Sequence, residues 1–263
     1  MERRVGDAVV PDAPKPEHEI SAILAVLSTC KPDILGVTEI GTAEDLEDFR
    51  LRMDRAGNPL PHTTLVLAAD PERHIALLSK FPIGTTRHQT HLTYRLGASR
   101  LAMQRGILDA EILVRDGYTL RVLGVHLKSR RPVEEADQAL MRRHEAHLLR
   151  RHVLEILKAE PGVNLLLFGD FNDTREQPSI REIQGRAGTE GHLKAIRAAD
   201  AFGLRWTYYW EEADVYSRFD YLFVSSGLAP EVLWERAYIP DHPDWMTGSD
   251  HRPLVALIYP ENR

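Results

Sequence analysis

Apolar residues recur along the chain with the two spacings that distinguish helices from strands. Ile20, Ile23, Leu24 and Leu27 follow the i, i+3, i+4, i+7 spacing of a helix. Pro32 predicts the end of this helix, because proline lacks the amide hydrogen that the next turn requires. Further helices are predicted at Ala43–Met53, Val133–Lys158, Gln177–Ile183 and His192–Ala199.

Short apolar runs between polar or turn-forming residues predict buried strands. Arg105–Val114 and Thr119–Leu127 flank Asp116-Gly117, a dipeptide typical of tight hairpins, so this pair is predicted to be antiparallel. The other predicted strands are Ile34–Ile40, Thr64–Ala69, His74–Ser79, Leu165–Phe168, Leu204–Trp210, Tyr216–Val224, Pro230–Tyr238 and Pro253–Tyr259.

The order of these elements predicts an α/β fold whose sheets are mixed, with α+β character. Helices that connect strands indicate parallel neighbours, whereas the hairpin is antiparallel. Two packed sheets accommodate so many strands better than one open sheet does, so we expect helix layers outside two stacked sheets. Residues 1–16 are polar and contain three prolines, which predicts a poorly ordered segment. Residues 17–263 are predicted to form a single domain.

The charge of the chain bears on its partners. It has 39 acidic residues against 33 Lys and Arg, a formal net charge of −6. Proteins that hold DNA by broad attraction usually carry a basic stripe or a basic pI, so the global charge does not favour that class. Only 6 of the 33 cations are Lys. Arg binds phosphate through two parallel hydrogen bonds, so a local anion-binding site is one interpretation of this excess of Arg. The other interpretation is that the excess reflects codon usage.

Cysteine content and hydropathy exclude several classes. The single Cys30 excludes an internal disulfide framework and a zinc site made of cysteines. No apolar stretch approaches the 18 residues of a membrane span. Met1 is followed by polar residues rather than an apolar signal core, which predicts a cytoplasmic location for the chain as written.

Polar residues at the ends of the predicted strands are the candidates for chemistry, because a scaffold holds such side chains rigidly. Glu39 lies near the end of the predicted strand Ile34–Ile40. A carboxylate in this position is either a metal ligand or a salt-bridge partner. Asp170 and Asn172 follow the strand Leu165–Phe168 and are two residues apart, so they are expected on one side of the chain. They form a site that orients water against phosphate, or an Asx turn that closes the strand.

Two more strand ends carry histidines. His126 and Lys128 share one face of their strand and suit an anionic oxygen, although a backbone-capped His with a solvated Lys is the alternative. Asp220 is expected to pair with His251, fixing the tautomer of the imidazole. Asp250 precedes His251 and projects elsewhere, where it is free for a cation. Structural salt bridges are the alternative for this group.

These residues, taken together, resemble a known family. The order Glu39, His126, Gly169-Asp170-Phe171-Asn172, Asp220 and Ser249-Asp250-His251 is similar to that of the endonuclease/exonuclease/phosphatase superfamily. Its members have the DNase-I-like fold, which is shared with exonuclease III. The resemblance covers residues from about 17 to 260 and implies a four-layer α/β/β/α sandwich, in agreement with the layers predicted above.

The resemblance also implies roles for the candidate residues. Glu39 would be a ligand of a divalent metal, and Asp250 would assist the metal or the histidine. Asp170 and Asn172 would position the attacking water and the phosphate. The remaining roles concern the imidazoles: His126 would hydrogen-bond the scissile group, and Asp220 would orient His251.

One departure from the family pattern lies at the start of the chain. Family members open with a strand that ends in an Asn at the metal and phosphate site. Nothing before Glu17 matches that strand, because Ala8-Val9-Val10 is short and stops at Pro11. The first strand is therefore predicted to be missing from a truncated chain. A signal peptide, and with it secretion, then becomes possible upstream of Met1.

The predicted function is hydrolysis of a phosphate ester, preferably a phosphodiester, by a Mg²⁺- or Mn²⁺-dependent enzyme. The expected substrate is a nucleic acid or a small phosphodiester, with Lys128 and Asn172 at its phosphate. A phosphomonoesterase, a lipid-headgroup phosphodiesterase and a catalytically silent binding module are the alternatives.

Three other motifs are interpreted as structural rather than functional. His144-Glu145-Ala146-His147 is one residue short of the zinc-protease spacing and is interpreted as a solvated helix face. Asp241-His242-Pro243-Asp244 is interpreted as a loop. Trp206, Tyr208, Tyr209 and Trp210 are assigned to the core rather than to a base-stacking platform.

Overall fold

The computed structural model describes residues 3–5, 8–10 and 14–261. The first two strands, β1 (Arg3–Val5) and β2 (Ala8–Val10), form an antiparallel pair. The predicted poorly ordered segment 1–16 therefore lies partly outside the described residues, and its order remains a prediction.

A three-stranded antiparallel sheet and two helices form one side of the fold. The helix α1 (Glu17–Cys30) ends at Lys31, whose φ of 45° is left-handed, directly before Pro32 as predicted. The helix α2 (Ala43–Arg55) begins with a capping box between Thr42 and Asp45. The sheet has the order β3-β5-β4, with β3 at Ile34–Ile40, β4 at His62–Val66 and β5 at His74–Ser79.

A six-stranded mixed sheet forms the second half. Its order is β12-β15-β11-β10-β9-β6. These strands are β6 (Ile83–Thr86), β9 (Ile107–Arg115), β10 (Tyr118–His126), β11 (Leu165–Asp170), β12 (Lys194–Ala195) and β15 (Asp220–Val224). The predicted hairpin forms between β9 and β10, and Gly117 in its turn has a φ of 74°. The parallel pair β10–β11 is connected by the helix α3 (Gln138–Ala159), which contacts α4 (Pro178–Gln184).

The buried apolar residues show how these parts are layered. Ile75 and Leu77 of β5 pack against Leu108, Val122 and Phe168 of the larger sheet. A second cluster joins the larger sheet to α3, and a third joins the smaller sheet to α1 and α2. The order of layers is therefore helices, three-stranded sheet, six-stranded sheet and helices. The predicted four-layer α/β/β/α sandwich is confirmed.

Other elements differ from the predictions. The predicted helix His192–Ala199 is wrong, because only the two-residue strand β12 forms there. Pro230–Tyr238 contains two 3-10 turns, and Pro253–Tyr259 meets it through isolated bridges instead of a continuous ladder. Two small hairpins complete the fold: β7 (Thr93–Leu96) with β8 (Ser99–Ala102), and β13 (Tyr208–Trp210) with β14 (Val215–Ser217). The short helix α5 (Trp245–Gly248) precedes Ser249.

A cleft of about 1000 Å³ opens beside β3, which is the outermost strand of its sheet. Residues 253–260 form the opposite wall, and the cleft extends to Asp170 and Asp220. Since β1 and β2 pair only with each other, the strands described in this structure leave the cleft open. The family-based prediction of a missing first strand stays a prediction.

Candidate active site

Three neighbouring strands of the larger sheet bring polar residues to one edge. The register pairs His126 of β10 with Asp170 of β11, and Asp170 with Asp220 of β15. The three residues therefore lie in one row across the sheet. The row forms because β10 and β11 both end there, while the antiparallel β15 begins there.

Asp170 and Asn172 are held together by a tight turn. The backbone N–H of Asn172 donates to Asp170 Oδ1 at 2.8 Å, and its side-chain amide donates to Asp170 Oδ2 at 3.0 Å. The same amide donates to the carbonyl of Leu127 at 3.0 Å, so both of its hydrogens have acceptors within the protein. Asn172 has a left-handed φ of 51°, so the turn, rather than an extended chain, places the two side chains together.

His251 and Asp220 form the pair that their sequence context predicts. His251 Nδ1 lies 2.9 Å from Asp220 Oδ2, and His251 Nε2 lies 3.9 Å from Asp170 Oδ2. Burial disfavours the imidazolium, but the carboxylates of Asp220, Asp170 and Asp250 outweigh it and raise the pKa of His251 to about 10. At neutral pH the imidazole is therefore positively charged, and its Nε2–H faces the centre of the row.

Glu39 approaches the row from the smaller sheet. It lies at a bulge between Thr38 and Ile40 and has a left-handed φ of 57°. Such a conformation costs about 1–3 kcal/mol in a residue other than glycine, and such bulges are common next to active sites. The bulge directs the carboxylate, whose side chain is 46% exposed, to within 3.8 Å of His126 Nε2.

His126 is the buried member of the row. Its side chain is 3% exposed, and Nε2 lies 3.5 Å from Asp170 Oδ2. Burial, together with the positive charges of Arg105, His251, Arg73 and Lys128, holds its pKa well below the ordinary value. His126 is therefore a neutral imidazole, in contrast to the charged His251.

The acidic groups converge in a way that could hold a cation. Burial and the negative charge of Asp220 raise the pKa of Asp170, and Glu39 adds to this effect. Ligand atoms of Asp170, Asp220 and His251 lie within 4.8 Å of one another. Converging carboxylates that repel one another are stabilised by a hard divalent cation, which prefers oxygen ligands. The donor set therefore fits such a cation. His251 is already paired with Asp220, whereas carboxylate oxygens of both Asp170 and Glu39 face His126 Nε2, at 3.5 and 3.8 Å.

Two predicted site residues lie at the margin of this arrangement. Lys128 is buried, and its Nζ donates to the loop at Ser129 Oγ (3.2 Å) and the Arg131 carbonyl (3.3 Å). This ammonium is directed into its own loop rather than towards the row of carboxylates. Asp250 is exposed and acts on His251 through its charge.

Sequence reasoning missed a second group of charges around Glu39. Asp70 accepts a hydrogen bond from Arg105 Nε at 2.9 Å and from the backbone N–H groups of Glu72 and Arg73. Arg73 Nε lies 3.9 Å from Glu39 Oε1. A signal was present: Asp70 and Arg73 directly precede β5, as the other site residues border their strands.

The helix α3 holds the two loops that follow β10 and β11. Arg142 Nη1 donates to the carbonyls of Lys128 (3.2 Å) and Ser129 (3.1 Å), and its Nε lies 3.1 Å from Asp173 Oδ2. Glu145 Oε2 accepts the backbone N–H of Lys128 at 2.7 Å. The interpretation of this region as a solvated helix face is therefore wrong for Glu145, whose residue is 1% exposed.

The remaining motifs have structural roles. His144 stacks on Tyr94, while His147 is exposed and lies 2.6 Å from Glu182 Oε1. Residues 241–244 form a loop, as predicted. Of the four aromatic residues, Trp210 is half exposed and the other three are only partly buried, so the assignment to the core is wrong for this group.

Glu145 predicts a pH dependence of stability. Burial raises its pKa to about 7, so the folded state binds this proton more tightly than the unfolded state. Its contribution to stability is therefore fully present below about pH 4.5 and is lost as pH rises to about 7. One pKa unit corresponds to 1.36 kcal/mol. Between pH 5 and 8, we therefore expect the free energy of unfolding of Glu145→Gln to rise by up to about 3 kcal/mol relative to that of the wild type.

Urea unfolding at these two pH values measures that difference. The glutamine keeps an acceptor for the Lys128 N–H, so folding is expected to survive the change. Glu155→Gln, on the exposed side of the same helix, is the matched control and should follow the wild type. Parallel pH profiles for Glu145→Gln and wild type would contradict the expectation.

Comparisons with known proteins agree with this geometry. The four-layer sandwich, with acidic and imidazole groups at one edge of its larger sheet, is a DNase-I-like fold. The chain belongs to the Endonuclease/Exonuclease/phosphatase family, whose model matches residues 10–251. Members of this family are hydrolases that act on phosphate esters and generally depend on divalent metals.

Solved structures show the same fold at low sequence identity. The human Nocturnin catalytic domain has a TM-score of 0.65 and 17% identity, covering 96% of this chain and 90% of that chain. Sphingomyelinase C from Streptomyces griseocarneus has a TM-score of 0.62 and 15% identity, covering 91% and 87%. Truncated TDP2 from Caenorhabditis elegans has a TM-score of 0.61 and 19% identity, covering 89% and 87%. No curated protein matches the chain.

Proposed function

We propose that the protein is a divalent-metal-dependent phosphodiesterase in which water attacks the phosphorus of a phosphate ester. The observation that carries this proposal is the convergence at Asp170 Oδ2, which faces His126 Nε2 at 3.5 Å and His251 Nε2 at 3.9 Å. An acceptor between two imidazoles has the composition needed to handle a proton and an anionic oxygen together.

Asp170 is assigned the role of orienting the attacking water and accepting its proton. Its carboxylate is buried and is fixed by the two hydrogen bonds from Asn172, so it presents one orientation to a bound molecule. It accepts a proton from the water as the new oxygen–phosphorus bond forms, while the bond from phosphorus to the ester oxygen breaks and this oxygen leaves with the electron pair. Asn172 serves this step by orienting Asp170, because its own amide hydrogens are already engaged.

The two imidazoles are assigned the role of stabilising the phosphoryl oxygens of the substrate. His251 is charged, is oriented through its Nδ1 by Asp220, and donates from Nε2. His126 is neutral and faces the same space from the other side of Asp170. Donors that are fixed before the reaction stabilise the charge that develops on the phosphate, and one such donor contributes about 10²–10³ in rate.

A cation held by Glu39 and Asp170 completes the proposed site. Mg²⁺ and Mn²⁺ suit a site with one or two carboxylates and substrate phosphate oxygens. When bound, the ion supplies stabilisation of negative charge on the phosphate and on the leaving oxygen. Asp250 lies outside this pair and is proposed to act through His251.

Metal removal tests the proposal. We expect hydrolysis of bis(4-nitrophenyl) phosphate to vanish in excess EDTA and to return when Mg²⁺ or Mn²⁺ is added back above the chelator. The reason is that the phosphate cannot approach the repelling carboxylates without a counter-charge. Full turnover in excess EDTA would contradict metal dependence.

A lipid-headgroup phosphodiesterase is the second candidate function. Large apolar side chains lie exposed in the part of the chain that leads to His251, namely Phe202, Leu204, Trp210 and Tyr216. The similarity to a sphingomyelinase C structure adds a reason to test it. Phosphatidylcholine and sphingomyelin vesicles belong in the substrate panel, and turnover confined to them would favour this candidate. Within the described residues, no helix is long and apolar enough to cross a membrane.

A further inference from the structure

Two loops that carry arginines meet on the Asp220 side of the site. Arg218 lies two residues before Asp220, and Arg175 lies three residues after Asn172. The hydroxyl of Tyr221 joins their loops, because it lies 2.9 Å from the carbonyl of Arg218 and 3.2 Å from that of Asp173. The two arginines therefore occupy adjoining loops at the rim of the active site.

Arg205 is brought to the same place by Thr207. The hydroxyl of Thr207 accepts the backbone N–H groups of Phe219 and Asp220, each at 3.0 Å. The segment that carries Arg205 is thereby fixed against the start of β15. Arg175, Arg205 and Arg218 are called the arginine group below.

The positive charges of this group act on one another. Burial and the charges of Arg205 and Arg175 lower the pKa of Arg218, although Tyr221 and Asp220 act in the opposite direction. Arg218 Nη2 donates to the carbonyl of Ile196 at 3.0 Å, while its buried Nε has no hydrogen-bond partner in the part of the chain that the structure describes. Like charges repel unless an opposite charge lies among them.

Carboxylates near the arginine group are engaged elsewhere. Asp173 accepts from Arg130 at 2.9 Å and lies 3.1 Å from Arg142. Among the described residues, the ion-pair partner of Arg175 is Glu176 at 3.6 Å, and both side chains are largely exposed, so this pair contributes little. Arg205 has no ion pair or side-chain hydrogen bond within the described part of the chain. Within the described residues, the positive charges of Arg175 and Arg205 therefore remain largely uncompensated, whereas Arg218 lies over the ring of Tyr221 and feels the charge of Asp220.

We propose that Arg175, Arg205 and Arg218 bind a second phosphate group of the substrate, next to the phosphate that is hydrolysed. This inference rests on the proposed function and narrows its substrate class to esters that carry at least two phosphates. A nucleic-acid strand and a nucleoside diphosphate ester share this chemistry. Guanidinium groups suit the role because they bind phosphate through paired hydrogen bonds and stay charged.

A substrate comparison tests the proposal with the variant Arg175→Ala/Arg205→Ala, which spares the partly buried Arg218. The measured quantity is kcat/KM on two substrate classes. Bis(4-nitrophenyl) phosphate has one phosphate, whereas 5′-phosphorylated thymidine dinucleotide and a nucleoside diphosphate ester have two. We expect the ratio of two-phosphate to one-phosphate kcat/KM to fall by about tenfold or more, mostly through KM.

The control removes two cations from the distal part of α3. Arg151 and Lys158 are exposed there, so Arg151→Ala/Lys158→Ala changes net charge equally and should leave the ratio unaltered. An equal ratio in the arginine variant and this control would overturn the proposal. The two multi-phosphate substrates separate a nucleic-acid strand from a diphosphate ester.

A binding measurement keeps this test separate from catalysis. A fluorescein-labelled single-stranded oligonucleotide is titrated into Asp170→Asn protein, with and without the two arginine substitutions, at several salt concentrations. We expect about tenfold weaker binding and a salt slope smaller by about 0.7 for each lost phosphate contact. Equal affinity and slope would overturn the arginine proposal even if the enzyme is active. Absent hydrolysis of every substrate would instead overturn the proposed function.

Discussion

Asp170→Asn should lower kcat by about 10²–10⁴-fold on any substrate that the wild type hydrolyses. The asparagine retains an acceptor for the backbone N–H of Asn172, but it cannot take a proton from water. It also removes a negative charge that is buried beside Asp220 and Glu39. The variant should therefore unfold at a temperature equal to or above that of the metal-free wild type.

This combination separates chemistry from folding. A general loss of structure would lower kcat and the melting temperature together. Loss of Asp170 as proton acceptor and metal ligand should lower kcat without lowering the melting temperature measured in EDTA. The measurements are steady-state kinetics with Mg²⁺ and thermal unfolding in EDTA. An Asp170→Asn variant that retains wild-type kcat would remove Asp170 from the mechanism.

His251→Gln should lower kcat by about 10²–10³-fold, the usual effect of losing one fixed donor to a developing anion. Because the pKa of His251 is raised to about 10, the donor is charged over the whole neutral range. On the alkaline side, the wild-type rate should therefore fall as the pH approaches about 10. That alkaline limb should be absent from the residual activity of the variant.

Asp220 provides a second readout of the same pair. If Asp220 acts by orienting His251, the double variant Asp220→Asn/His251→Gln should lose little more than His251→Gln alone. The exposed His147 is the matched control, since His147→Gln removes an imidazole that lies against Glu182. Multiplicative losses in the double variant would show that the two residues act independently.

Much of the fold follows from local sequence patterns. The strands β3, β5, β9 and β10 are runs of apolar residues with clear turn signals at their ends, and the structure places them within a few residues of the prediction. The long helix begins at Gln138 rather than Val133, because Asp137 caps it by accepting the N–H groups of Ala139 and Leu140.

The failures have a common physical cause in the last third of the chain. Segments such as His192–Ala199 and Pro230–Tyr238 are shaped by tertiary contacts that override local propensity. Leu193 and Ile196 are buried against the larger sheet, and this packing selects a short strand although the spacing suggests a helix.

The candidate site shows the same division. Asp170, His126 and Asp220 could be predicted to converge, because each borders a strand and adjacent strands share an edge. The orientation of Lys128 could not, since it depends on acceptors in its own loop. The buried support from Arg142 and Glu145 was equally hidden, because it comes from a helix whose pattern looked solvated.

The central claim is that Glu39 and Asp170, which come from different sheets, share one divalent cation. Anomalous diffraction from crystals soaked with Mn²⁺ tests it most directly. The account predicts a single strong peak in contact with carboxylate oxygens of both residues, and loss of that peak in Asp170→Asn crystals. A peak bound elsewhere, or no peak at saturating Mn²⁺, would contradict it.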